Sequence, residues 1–175
     1  MPGHDRLQLL MHMHISVRQI TRQRYVYTCI IADMKLESLP CYCATLRQAA
    51  RAASSLYEEA LGDSGIRATQ FTILQVLKTA PGLQTTEVGQ LIGIDQTTAT
   101  RTLALMKKGK LIGDSTGTDR RERHWHLTQL GEAIFSKAKP RWERAQAMVE
   151  KRLGRAGAMA LKKYAFRAAS AFTKA

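Results

Sequence analysis

Long hydrophobic runs are missing from this chain. The longest apolar stretches, such as Leu7 to Met13, are short and broken by polar residues, far below the roughly 20 residues a bilayer span needs. No membrane partner is expected. The N-terminus also lacks the apolar core and small-residue cleavage site of a secretory signal. Cysteine is scarce: Cys29, Cys41 and Cys43 are an odd set with no second pair at metal-ligand spacing. They read as reduced thiols of a cytoplasmic protein rather than a disulfide framework. No Ser-His-Asp set, paired carboxylates or phosphate loop can be found, and Gly62-x-x-Gly65 lacks everything else a nucleotide site requires. The chain is therefore read as no enzyme, with no cofactor and no metal. Acidic residues are few as well, 14 against 27 Lys and Arg, which leaves a net charge of +13. That excess suggests a polyanionic partner, of which nucleic acid is the commonest and anionic membrane the rival.

What is present is enough apolar material for a core: 45% of 175 residues, consistent with one folded domain. Residues 1–33 have no sustained helical period and read as a loosely docked or poorly ordered extension, with Met34 an alternative start of translation. From Leu39 the pattern sharpens. Leu39, Cys43, Leu46, Ala50, Ala53, Tyr57 and Ala60 repeat in steps of four and three, one face of a helix. That seam is rich in small residues, so another helix can approach closely. Gly62 ends it. A short helix follows with Phe71, Leu74 and Leu77 inward, stopped by Ala80-Pro81-Gly82.

Thr85 to Leu91 reads as a short helix with Val88 and Leu91 apolar, and Gly93 as a turn. Asp95 can cap the next helix by accepting its unpaired N–H groups. There Ala99, Leu103 and Met106 face inward, while Gln96, Thr97, Thr98, Thr100 and Arg101 lie off that face. Gly109 ends the helix beside Lys107, Lys108 and Lys110, which suit a helix C-terminus. Leu111-Ile112 begins a strand and His124 to Leu127 a returning one, a β-hairpin with a long basic tip. Thr128 can cap a long helix to about Leu153, broken or bent near Pro140. Gly154 and Gly157 then separate a last Ala-rich helix with Leu161, Tyr164, Ala168 and Phe172. Trp142, Met148 and Tyr164 read as core residues. His124 and His126 share one side of a strand without a third ligand, so packing beside Trp125 is the reading.

Two short helices, a tight turn and a basic hairpin make a winged helix-turn-helix, mainly α with a small β-hairpin wing. A major groove admits one helix, which must be short and polar on its exposed face. Gln96, Thr97, Thr98, Thr100 and Arg101 supply that face, with Thr86 on the preceding helix. Arg can hold a guanine edge, Gln an adenine, and Thr a phosphate or thymine methyl. Arg120, Arg121 and Arg123 near the hairpin tip can reach a minor groove or flanking phosphates. On TEVGQLIGIDQTTATR (86–101), KGKLI (108–112) and Asp119-Arg120-Arg121 ahead of Leu127-Thr128-Gln129-Leu130-Gly131, the chain resembles the MarR family over about 39–153. The family often has Gly-Leu after the recognition helix, whereas this chain has Gly109-Lys110-Leu111.

The resemblance implies that Asp119 braces the wing and Arg121 enters the minor groove. It implies dimerisation through the first and last helices, about 39–60 and 129–173, around a DNA-binding lobe at about 66–127, with residues 1–38 as an extension of the 39–175 domain. The function implied is a homodimeric double-stranded-DNA-binding regulator, a repressor on an inverted repeat. A small aromatic or phenolic effector would release it from a cleft near Leu39, Tyr42, Arg47, Phe71 and Trp142. Two alternatives stand beside it. Cys43, with Leu46 and Arg51, partly resembles the reactive site of organic hydroperoxide resistance regulators, although Ala44 and Arg47 replace the expected aromatic residues; a small core residue is the plainer reading. A non-specific architectural nucleic-acid binder would need charge alone.

Overall fold

The structure, a computed structural model, describes residues 41–116 and 122–172. The chain divides into two units, Met1–Gln48 and Ala49–Ala175. Of the first, residues 41–48 are described, and they form the beginning of helix α1 (Tyr42–Leu61). The apolar seam along α1 is mostly uncovered. Cys43, Leu46, Ala50 and Ala53 are exposed, Tyr57 and Ala60 are half-buried, and Leu61 is buried. A 3-10 turn (Gly62–Ser64) ends the helix, and Gly65 follows at φ 84°, a left-handed conformation that glycine adopts without a Cβ clash.

Helix α2 (Ala68–Thr79) starts where the Arg67 N–H donates to Gln70 Oε1 at 2.9 Å and the Ala68 N–H to Glu58 Oε1 at 3.0 Å, so two of its unpaired N-terminal donors find side chains. It buries Phe71, Ile73, Leu74 and Leu77. Phe71 stacks on Phe135 and Trp142, with ring centroids 5.0 and 5.6 Å away. Around this stack the core closes with Val88, Leu103, Met106, Ile112 and Trp125. Each such side chain contributes about 1.5–3 kcal/mol by leaving water.

The remaining elements are β1 (Leu83–Gln84), α3 (Thr85–Ile92), α4 (Gln96–Lys108), β2 (Ile112–Thr116), β3 (Arg123–Leu127) and α5 (Gln129–Phe172). The hairpin expected from sequence belongs to a three-stranded antiparallel sheet of order β1-β3-β2. Strand β1 escapes sequence reading because two residues cannot show an alternation. Leu83 pairs with Trp125, and Ile112 pairs with Leu127.

The joint between α4 and α5 is tightly built. Thr128 Oγ1 donates to the Lys110 carbonyl at 2.6 Å and accepts from the Gly131 N–H at 3.0 Å. Here the side chain caps α5 and ties it to the turn after α4, as expected of Thr128. Lys110 occupies that turn at φ 57°, the conformation in which glycine is the easier residue.

Several expectations are corrected. Helix α5 runs through Pro140, and its non-helical residue is Gly154, at φ 70° and ψ 151°. Pro140 removes one backbone donor, but buried Phe135, Ala138 and Ala145 hold the helix on either side. Strand β2 begins at Ile112, one residue after Leu111. Leu91, Met148 and Tyr164 are surface residues, 63%, 38% and 63% exposed respectively, because no other element among the described residues covers them.

Candidate nucleic-acid interface

Helices α3 and α4 cross with almost no space between them. A Cβ on Gly89 would stand 3.2 Å from the Ile94 carbonyl oxygen and 3.3 Å from the Ala99 Cβ. Between the helices Gly93 turns the chain at φ 72°. Asp95 then caps α4: its Oδ1 accepts the Thr98 N–H at 2.9 Å and its Oδ2 the Thr98 hydroxyl at 2.7 Å. These hydrogen bonds hold its carboxyl below the usual aspartate range, so it stays anionic at the positive end of the helix.

Helix α4 is anchored by Ala99, Leu103 and Met106, all 0% exposed. Gln96, Thr97, Thr100 and Arg101 are exposed on the other side, and Thr86 is exposed on α3. Thr98 is half-buried, and its hydroxyl proton is engaged by Asp95. The Thr100 hydroxyl donates to the Gln96 carbonyl at 2.8 Å. Of the polar set nominated from sequence, the structure thus turns Gln96, Thr97, Thr100 and Arg101 outward and uses Thr98 to build the helix start.

The wing is rooted beside α4. Trp125 of β3 is buried, and its indole N–H donates to Thr85 Oγ1 at 3.0 Å. His124 Nδ1 lies 2.8 Å from the Gly82 carbonyl oxygen. His126 faces Gly113 so closely that a Cβ there would come 2.5 Å from its Nε2. Among the described residues, no cluster of His, Cys, Asp and Glu suits a metal. Arg123 is exposed and ion-paired with Asp114, which also takes Lys107 Nζ at 2.5 Å. The hydrogen bond from Lys107, then that from Arg123, holds the Asp114 carboxyl below its ordinary range against the opposing effect of burial. Sequence reasoning missed Asp114, whose only signal was its place in a polar hairpin. Asp119, Arg120 and Arg121 lie outside the described residues.

Two concavities flank these elements. One, of about 560 Å³, lies between α4 and the wing and is lined by Thr85, Thr100, Ala104, Lys107, Lys108, Arg123 and Trp125. The other, a groove of about 390 Å³, is lined by Ala53, Ser54, Tyr57, Ala68, Thr69, Thr72, Gln75, Ile92, Ile94, Trp142 and Gln146, none of them charged. Burial pushes the Tyr57 phenol up, and a hydrogen bond with Gln146 partly offsets that shift. Of the residues nominated for an effector cleft, Trp142 lines this groove, whereas Phe71 does not line it and is buried in the core, stacked on Trp142. Tyr42 and Arg47 belong to the other unit, and Leu39 lies outside the described residues. In that unit Cys41 and Cys43 are free, exposed thiols. Cys41 Sγ accepts the Ala44 N–H at 3.4 Å, and Cys43 Sγ accepts from the Arg47 guanidinium at 3.5 Å.

No helix among the described residues is long and apolar enough to cross a membrane. No curated protein matches the chain. A family model described as the MarR family matches residues 64–122. The M. tuberculosis transcriptional regulator MosR, solved in complex with DNA, is 33% identical, with a TM-score of 0.68 over 75% of this chain and 95% of its own. BpsR of Bordetella bronchiseptica, whose DNA binding is regulated by 6-hydroxynicotinic acid, is 27% identical, with a TM-score of 0.63 over 71% of this chain and 95% of its own. PcaV of Streptomyces coelicolor, solved with its natural ligand, shares the fold at 21% identity, with a TM-score of 0.67 over 79% of this chain and 99% of its own. Residues that build a helix-turn-helix, its cap and its wing, together with this likeness, establish that the chain belongs to the MarR family of DNA-binding transcriptional regulators.

Proposed function

We propose that the protein is a homodimeric repressor that reads an inverted repeat in double-stranded DNA and is released by a small uncharged aromatic or phenolic effector. The observation that carries the reading is the two-faced α4, with Ala99, Leu103 and Met106 at 0% exposure behind an exposed row of Gln96, Thr97, Thr100 and Arg101. Such a helix enters a major groove with its polar side toward the base edges. Thr86 and Arg123 contact phosphates on either side of it, and Arg121, braced by Asp119 as in the family, enters the adjacent minor groove with Arg120 beside it.

Dimerisation is supported by the far end of α5. Met159, Tyr164, Phe166 and Phe172 are 63% exposed or more, a run of large apolar side chains left largely open to solvent. A two-fold particle would set its two α4 helices about 34 Å apart, one turn of B-form DNA. The effector reading rests on the groove beside Trp142, and the relative BpsR responds to a small heteroaromatic acid. Among the described residues the groove here offers no cation to a carboxylate, which favours an uncharged guest. The protein works in the cytoplasm, where its DNA is.

Selection from a random duplex library, followed by competition against a scrambled duplex, tests the reading. Enrichment of an inverted repeat, bound less tightly as salt rises, is the expected result. Equal affinity for scrambled DNA would leave only a charge-driven architectural binder.

A thiol-switched repressor is the second reading, favoured by the free, exposed Cys43 thiol, which an oxidant can reach and which accepts a hydrogen bond from the Arg47 guanidinium. Peroxide should then release DNA from the wild type and not from Cys43→Ser. Identical release from both proteins removes this reading.

A further inference from the structure

The carboxylate of Asp114 joins three elements. Lys107, in the last turn of α4, donates to its Oδ1 at 2.5 Å; Arg123, the first residue of β3, donates to its Oδ2; and Asp114 itself lies in β2. Each oxygen is occupied by a different cation. The carboxylate side chain is 12% exposed, whereas those of Lys107 and Arg123 are 45% and 55% exposed. Ion pairs with partners this open to water make a measurable but modest contribution to folding. The wing does not depend on them for its register, which is held by backbone pairing and by buried Trp125 opposite Asp114. What the pairs fix is direction. Two long, rotamer-rich side chains lining the cleft beside Thr100 and Lys108 are held in one arrangement, with β2 and β3 tied to the end of α4.

We infer that Asp114 is a specificity-determining positioning residue, which sets the wing against α4 and cancels charge on the surface turned to DNA. The inference rests on the DNA-reading role proposed above. Lys107, Arg123 and Asp114 together carry +1, and without the aspartate charge they carry +2. Losing that anion strengthens attraction to any duplex, because the backbone contribution is electrostatic and independent of sequence. It also frees the wing from a fixed distance to α4, which weakens the contacts that read bases. The two effects move specific and non-specific affinity in opposite directions, so their ratio is the sensitive quantity.

Asp114→Asn keeps the shape and removes the charge, while Asp114→Glu keeps the charge. The probes are the duplex that the wild type enriches from a random library and a scrambled duplex of equal composition, titrated between about 50 and 200 mM salt. For Asp114→Asn we expect tighter scrambled-duplex binding, with a salt slope steeper by about one. Its preference for the enriched duplex should fall roughly tenfold, about what one base-reading contact supplies. Asp114→Glu should recover most of that preference. Should Asp114→Asn fail to fold, Lys107→Gln takes its place: cutting the α4 tether should lower the preference although net charge falls. An unchanged preference in the folded variant overturns the inference alone. A wild type that enriches no sequence overturns the DNA-reading proposal and this inference with it.

Discussion

Gly131 and Leu111 are packed so closely that a Cβ on the glycine would lie 2.0 Å from the leucine carbonyl oxygen. Backbone, not a movable side chain, fills that space, so Gly131→Ala must push α5 away from the turn after α4. The substitution should destabilise the fold by about 2–4 kcal/mol, in the range of severe overpacking, and urea unfolding followed by circular dichroism measures it. Wild-type stability in Gly131→Ala would show that the turn yields easily.

Acid should weaken the fold through Asp95 and Asp114. Both carboxyls titrate lower in the folded chain than the ordinary aspartate value near 4. The unfolded chain therefore binds more protons in that window. Their stabilisation is complete above about pH 4 and is lost as pH falls through the lower folded values. Asp95→Asn and Asp114→Asn should melt below the wild type at pH 6, and the gap should close toward pH 2. Melting curves that differ by the same amount at both pH values would rule out this linkage.

Arg101 is exposed on α4 and supports no described hydrogen bond or ion pair of the fold. Arg101→Ala should leave the melting temperature unchanged and weaken binding to an enriched duplex by about 1–3 kcal/mol. Arg121→Ala should weaken binding by a similar amount. Titration by fluorescence anisotropy reads both losses, and unaltered affinity in either variant removes that arginine from the interface.

Phe166→Asp places a charge in the exposed apolar run of α5 without touching the core around Phe71. The variant should keep its helical circular dichroism and sediment as a monomer at concentrations where the wild type is dimeric. A dimer of undiminished stability would place the two-fold contact elsewhere.

The helix-turn-helix was legible because its signals are local. Asp95 ahead of a polar helix, the inward spacing of Ala99, Leu103 and Met106, and Thr128 three residues before Gly131 each encode a nearby hydrogen bond or contact. Less was readable where the deciding partner is distant in sequence. Strand β1 exists because Leu83 meets Trp125, and no pattern in two residues announces that. Asp114 gained its role from Lys107 on one side and Arg123 on the other. Leu91 and Tyr164 have core chemistry and surface positions, since periodicity gives the face of a helix without saying what covers it.

Gly154 interrupts α5 for a torsional reason alone: its φ is 70°, and nothing stands within 4 Å of where a Cβ would be. Any other residue would fit the space but would favour a right-handed backbone. One codon therefore decides whether residues 155–172 continue straight on from the helix behind the wing or depart at an angle. In the dimer proposed above, changing it would re-aim the apolar tail while leaving the residues proposed to face DNA untouched, a short mutational route to a regulator that recognises the same half-site at a different spacing.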